Sequence, residues 1–502
     1  MPIIIPDDIR EFVWLDESTT PATLYVDENN IHARRIQSFV VDRTTGLTIR
    51  PVSLTDIRQH QELHAGEHGV HDNSERQQQV IQLFRDAAQA GASDIHIEVG
   101  RGDATLIMLR VNGDLQPVDS ITTDQGMQLI RAIYDSMCDI RSSPSFHAKQ
   151  PQDGRLMPAF LQQADLFAAR YLHLPATFGL KVVMRLITHG DDVLTTLEEQ
   201  GFLPEQVALL RELIHSPSGM LVTSGPTGSG KSTTLRTLCG MYISVTGGTK
   251  CLLTVEDPVE GHIRGAVQSA IVADRNDADA IREAWSRFHS ASVRADPDAM
   301  MIGEVRDKES AHTAVITTQA GHPAYTTIHT DDPFGILDRF ASFGIDADLL
   351  YNPRIFSCLI SQRLVQRLCP HCKLSWAQAK DTLSDEEQVR VTRHCDTDRV
   401  FFRNPQGCSA CRKELRNVTL SAGIAGRTVI AEVVRTDARM LNVFREKGRL
   451  AARQHWIDRG GKTLLTHLMH YVHNGEVDPL HGHSVVALDE DSRTSLREMA
   501  SC

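Results

Sequence analysis

Gly225-Pro-Thr-Gly-Ser-Gly-Lys-Ser-Thr233 decides how the rest of this 502-residue sequence is read. The segment fits the pattern G-x-x-x-x-G-K-[ST] in full. Backbone N–H groups that close around a triphosphate need unusual dihedrals and little side-chain bulk, which glycine supplies. Lys231 can place a point charge on the β- and γ-phosphates, and the Ser232 hydroxyl can ligate Mg²⁺. Gly225, Pro226, Thr227, Gly228, Ser229, Gly230, Lys231, Ser232 and Thr233 are therefore candidate nucleotide-binding residues. The flanks agree: Met220–Thr223 reads as a strand and Thr234–Tyr242 as a helix, whose positive end would face the phosphates.

Working outward, Leu203–Ile214 carries apolar residues on one helical face. Leu252–Val255, Met300–Ile302 and Tyr325–Ile328 are short apolar runs separated by helical segments. Strands alternating with helices indicate an α/β domain with a parallel sheet. Two runs end in acids: Val255-Glu256-Asp257-Pro258-Val259-Glu260, and Ile302-Gly303-Glu304. Ligands of such sheets sit at the carboxyl ends of strands, where bound Mg·ATP needs carboxylates. The bland alternative is acids that cap helices or solvate turns. His329 ends another run, where it could sense the γ-phosphate or bridge subunits, but taken alone it reads more readily as a structural histidine.

Upstream, residues 76–190 look α+β. Arg76–Gln89 has a helical period, Asp94–Glu98 alternates like a half-buried strand, and Leu106–Val111 and Val182–Ile187 also read as strands. Asn112-Gly113 signals a hairpin turn. The expected division is 1–75, a small region ending in the His- and Gly-rich stretch His60–Asn73; 76–190; a linker, 191–198; a nucleotide-binding domain, 199–436; and a helical tail, 437–502.

The net charge of −12 argues against a broad nucleic-acid surface, which needs clustered Lys and Arg. The amino terminus lacks a basic n-region, and no run approaches the roughly 18 apolar residues of a membrane span. The chain thus reads as cytosolic, and its close cysteine pairs read as metal ligands. Cys369-Pro-His-Cys372 and Cys408-Ser-Ala-Cys411 suit a tetrahedral, structural Zn²⁺ site inside a subdomain spanning 366–430. Unmetallated buried thiols are the alternative; His371, His394 and Cys395 are reserve ligands.

Taken together, these segments resemble the type IV pilus assembly and type II secretion ATPases. Six segments match in order: Ser93–Glu98, Pro151–Arg155, the phosphate loop, Glu256–Glu260, Met300–Asp307 and Gly321–His329. The resemblance implies a RecA-like P-loop ATPase domain with a parallel-rich sheet, preceded by an α+β, PAS-like domain and carrying a small zinc subdomain. It implies that Glu260 activates water, that Glu304 acts on Mg²⁺ through water, and that Glu256 supports the same site; His329 falls in the matching histidine segment. Arg155 and Arg170 match arginines that reach the nucleotide from the preceding domain, and Arg185 is a third candidate. It further implies ATP, Mg²⁺ and Zn²⁺ as cofactors, a homohexameric ring, and peripheral attachment to an inner-membrane platform protein at the cytoplasmic face. The tetracysteine feature goes with assembly and export motors. Residues 1–75 depart from the family's usual recruitment domain, and Pro323 stands where an aliphatic residue is usual. Two other functions compete: a nucleic-acid-translocating or packaging ATPase, and a nucleotide-gated scaffold without turnover.

Overall fold

Residues 1–75, opaque to pattern reading, and residues 76–502 form separate units in the computed structural model. The structure describes residues 75–491 except 144, 189–194, 258, 272–277 and 293, and in the first unit residues 5, 9, 12–16, 22–28, 36, 47–53 and 56–57. His60–Asn73, residues 191–194 of the expected linker and Pro258 lie outside the described residues.

In the first unit, β1 (Val13–Asp16) pairs antiparallel with β2 (Ala22–Asp27), and β2 pairs parallel with β3 (Leu47–Val52). Val13, Leu24, Val26 and Ile36 share a small core. Strand and core give 1–75 a sheet that its irregular composition does not announce.

The second unit opens with a helix, Glu75–Ala90, because Val80, Ile81, Phe84 and Ala87 fall on one face; all four are buried. The helix shares a core with an antiparallel sheet of β4 (Ala92–Arg101), β5 (Ala104–Val111), β6 (Asp114–Thr122), β7 (Cys138–Arg141), β8 (Gln152–Leu156), β9 (Leu166–Ala176) and β10 (Gly179–Thr188). Their order is β6-β5-β4-β10-β9-β8-β7. The Asn112-Gly113 turn forms, with φ of 52° and 96° between the partners Val111 and Asp114. Positive φ at both positions matches the right-handed twist of the flanking strands. One expectation changes. Asp94–Glu98 is not half-buried: Asp94 and His96, on the polar face of β4, are only 5% and 7% exposed. They line a cleft shared with the next sheet.

That sheet contains β11 (Gly219–Ser224), β12 (Leu252–Glu256), β13 (Ala266–Ala270), β14 (Ala299–Ile302), β15 (Pro323–Ile328), β16 (Phe356–Leu368) and β21 (Ile424–Arg435), in the order β13-β12-β14-β15-β11-β16-β21. All pairs are parallel except β16–β21. Strands β11, β12, β14 and β15 are buried at every position, since helices cover both faces. The long β16–β21 ribbon escapes pattern reading. It carries at its tip an insertion with two short strand pairs: β17 (Leu374–Ser375) with β18 (Phe401–Phe402), and β19 (Lys413–Leu415) with β20 (Val418–Leu420). The helical tail divides its packing. Met440, Leu441, Phe444 and Ala452 join the core under the sheet. Leu468, Val472 and Val477 share a core with Val391, Val400 and Phe402 of the insertion.

His467, fully buried, ties the tail to the sheet. Its Nδ1 accepts from the Ala431 N–H at 2.9 Å, and its Nε2–H donates to the Gly201 carbonyl at 3.0 Å. Burial pushes its pKa down to about 4. The unfolded state, with an ordinary histidine, then binds more protons between these values. The stability from His467 is complete above about pH 6.5 and is lost as pH falls toward 4. A His467→Gln variant is expected to lose less of its thermal midpoint than wild type across that window, as read by circular dichroism.

Candidate nucleotide cleft and metal centre

The phosphate loop leaves the carboxyl end of β11 and runs into the helix Lys231–Val245. Gly225, Gly228 and Gly230 have φ of 146°, 79° and 85°. A Cβ at Gly225 would lie 2.4 Å from the Gln362 carbonyl oxygen and 2.6 Å from Ser229 Oγ, so glycine is obligatory there. Gln362 Nε2 donates to the Ser229 carbonyl at 2.8 Å and fixes the loop to β16. Lys231 Nζ donates to the carbonyls of Gly225 (2.8 Å) and Pro226 (3.1 Å). Its side chain is buried, and that burial pulls its pKa down to about 8, against the opposing pull of Glu304 and Glu260.

The acids arrive where parallel strands end. Glu256 closes β12. Its Oε1 accepts from Thr254 Oγ1 (2.8 Å) and Gln268 Nε2 (2.9 Å), and its Oε2 from the Glu260 backbone N–H (3.3 Å). Burial raises its pKa despite those donors. Glu256 thus holds the turn that presents Glu260. Burial also pushes the Glu260 carboxyl up, but Arg170, the Ser232 hydroxyl, Arg185 and Arg236 together outweigh it and hold the group below the usual range. The Arg170 contact is an ion pair of 2.7 Å that crosses from β9.

Glu304 follows β14. Its carboxylate meets Arg306 Nη2 at 2.6 Å and His329 Nε2, beyond β15, at 2.7 Å. Burial and Lys231 lower the His329 pKa more than Glu304 raises it, so the neutral ring donates its Nε2–H. The histidine therefore positions Glu304 in this conformation. Arg185, on β10, lines the cleft while its Nε donates to Asp94 at 3.1 Å. Arg155 does not reach it. Arg155 lies on β8 directly across from Arg170 and pairs with Asp139 of β7 at 3.3 Å. The cleft encloses about 1190 Å³ between the two sheets, and its walls include Thr227, Lys231, Ser232, Glu260, Glu304 and Arg170.

Sequence reasoning gave no role to Asp94, Arg110, Arg306, Arg427 or Gln268. Arg306 stands two residues after Glu304 and could have been paired with it. Arg110 and Arg427 line the cleft from strands far apart in sequence, and no local pattern marks them.

The four cysteines converge at the ribbon tip. Cys369 and Cys372 follow β16, Cys408 and Cys411 precede β19, and their Sγ atoms all lie within 4.8 Å of one another. The pairs Cys369–Cys408, Cys372–Cys411 and Cys408–Cys411 are each 3.8 Å apart. Four thiolates around Zn²⁺, with bonds of about 2.3 Å, would place their sulfurs about 3.8 Å apart. The N–H groups of Cys408 and Gly423 donate to Cys411 Sγ, at 3.1 and 3.2 Å, as expected around a thiolate ligand. His371, His394 and Cys395 lie outside this cluster.

The profile of the family described as "Type II/IV secretion system protein" matches residues 71–493. The chain belongs to that family. The match takes in both sheets, the cleft and the tetracysteine insertion. The chain is 30% identical over 356 residues to the type II secretion system protein E of Aeromonas hydrophila, covering 71% of this chain and 64% of that protein. It is 33% identical over 370 residues to the type IV pilus assembly ATPase PilB of Thermus thermophilus, covering 73% and 38%. The alignments thus span under two thirds of these relatives. The fold is shared with the pilus retraction motor PilT bound to ADP (18% identity, 81% of this chain and 96% of that one, TM-score 0.50). It is also shared with the ATPase DotB of Yersinia pseudotuberculosis (17% identity, 83% and 95%, TM-score 0.52). No helix among the described residues is long and apolar enough to cross a membrane.

If the cysteines hold one zinc ion, elemental analysis of purified protein finds about one zinc per chain. Cys369→Ser is expected to lower that content at least severalfold and to loosen residues 366–430, read by limited proteolysis.

Proposed function

We propose that the chain is an ATP-hydrolysing motor subunit that powers pilus assembly or protein export. One observation carries the reading: Lys231, Glu260, Glu304 and Arg170, from four separate segments, converge on one cleft at the carboxyl ends of parallel strands. The loop N–H groups and Lys231 hold the β- and γ-phosphates. Ser232 and, through water, Glu304 would hold a Mg²⁺ ion, which would supply neutralisation of phosphate charge. Glu260, ionised at neutral pH, orients a water and takes its proton. The water oxygen bonds to the γ-phosphorus, and the bond to the β–γ bridging oxygen breaks, leaving ADP with the electron pair. Arg170 and Arg185 stabilise charge on the transferring group through their planar forks. The 2.7 Å contact with Arg170 occupies Glu260 in this conformation. Phosphate oxygens competing for that guanidinium would release the carboxylate, linking hydrolysis to closure of the cleft.

The likeness to secretion protein E and PilB, together with the tetracysteine cluster, favours extension or export over retraction. A homohexamer acting on an inner-membrane platform protein at the cytoplasmic face is the assembly we infer. A nucleic-acid motor fits the acidic chain less well. A scaffold without turnover leaves Glu260 and Glu304 without work.

Lys231→Ala and Glu304→Ala are each expected to cut ATP turnover of the assembled protein by about 100-fold or more while leaving its circular dichroism unchanged. Turnover within about threefold of wild type in either variant would overturn the assignment. Bound phosphates should also raise the Lys231 pKa from its depressed value near 8. Nucleotide binding at about pH 8.5 is then expected to take up protons, and at about pH 6.5 to take up few, because Lys231 is already charged there. Binding enthalpies compared in two buffers of different ionisation enthalpy measure this; equal values at the higher pH would contradict it.

A further inference from the structure

The insertion at the ribbon tip does more than close around a metal. Its hairpin, β19–β20, is built into the first sheet of the same unit. Leu420 is fully buried in the core that also contains Phe84, Ala169 and Tyr171, and Leu415 and Val418 pack against that core. Ala169 and Tyr171 flank Arg170 on β9. Lys413 Nζ donates to the Ala90 carbonyl at 2.8 Å, at the last residue of the Glu75–Ala90 helix. Arg416 forks between two acids, meeting Asp86 at 2.8 Å on that helix and pairing with Asp119 on β6. Asn112 also bonds Ser421, and Arg403 pairs with Asp114 at 2.8 Å.

Arg416 is an unusual choice for its place. It and Asn417 form the two-residue turn between the partners Leu415 and Val418, with φ of 47° and 68°. Such turns favour Asn and Gly, because other side chains are strained at positive φ. An arginine there costs free energy in the turn, and the contacts with Asp86 and Asp119 offset it. Both ends of the hairpin are anchored on the cysteine cluster. Lys413 begins two residues after Cys411, while Gly423 donates to Cys411 Sγ at 3.2 Å and accepts from the Cys369 N–H at 2.9 Å.

We propose that Arg416 and Lys413 are positioning residues for the ATP cleft. The metal-stapled hairpin holds the antiparallel sheet in the register that delivers Arg170 to Glu260. The route runs from the cysteine cluster to the hairpin, through Leu420 into the first core, and along β9 to Arg170. Arg416 and Lys413 do not line the cleft. The inference rests on the proposed ATPase activity for its kinetic consequence, and on geometry alone for the docking.

The test uses the full, zinc-loaded chain and compares wild type, Arg416→Ala, Lys413→Ala and chelator-stripped wild type. Arg416→Ala is expected to keep its zinc. Hydrogen exchange should rise severalfold at residues 84–91 and 166–174, and kcat should fall about tenfold or more, with ATP affinity within about twofold. Arg416→Lys, which keeps one charge contact, should recover part of both losses. Stripped wild type should show the same two exchange regions opening. Unchanged exchange in zinc-loaded Arg416→Ala overturns the proposal; so does raised exchange with unchanged kcat, or lost affinity with unchanged kcat. Should Arg416→Ala lose its zinc, the zinc-loaded Lys413→Ala variant decides by the same criteria. If wild type hydrolyses no ATP, the functional reading fails, and the exchange comparison still decides the docking.

Discussion

Parallel pairing of β11, β12, β14 and β15 forces their carboxyl ends onto one edge, and the cleft depends on that constraint. Each strand enters a turn there, so Gly225–Gly230, Glu256–Glu260, Glu304 and His329 emerge side by side although about a hundred residues separate the first from the last. The strands themselves are buried at every position. Polar chemistry is thereby confined to the edge, where backbone N–H groups and carboxylates can be used.

The opposite wall supplies compensating charge. Taking Lys231 and Glu256 out of water, and Glu260 partly so, is costly, and each is tolerated because a partner is in place. Lys231 has two loop carbonyls, Glu256 has Thr254 and Gln268, and Glu260 has Arg170. These groups hold one another in a polar network whose members come from both sheets. The cleft is consequently sensitive to how the two sheets sit.

That sensitivity gives the tetracysteine insertion its interest. A closed shell of four thiolates leaves no position for a substrate and serves structure. Here the structure being served reaches beyond the insertion itself. The ribbon β16–β21 projects from the second sheet, carries the cysteines, and returns a hairpin into the core of the first. Gln362 of the same β16 also braces the phosphate loop. One strand thus braces the loop at its midpoint and leads into the cysteine cluster at its end.

The sequence by itself determined the phosphate loop, the strand-end acids, the two cysteine pairs and the alternating strand–helix order, because each is a local pattern that a few adjacent residues impose. The Glu75–Ala90 helix and the Asn112-Gly113 turn were legible for the same reason. Strands β16 and β21 were not, since their residues are buried by both helices and the insertion and show no clean alternation. Only the tertiary structure decided which arginines matter. Arg155 and Arg170 look alike in sequence, yet one strand's displacement leaves the first on Asp139 and brings the second to Glu260. Likewise Arg416 is an ordinary charge in a polar stretch until folding sets it between Asp86 and Asp119, about 300 residues away along the chain. Ion-pair partners so remote are chosen by packing geometry, which no local pattern encodes.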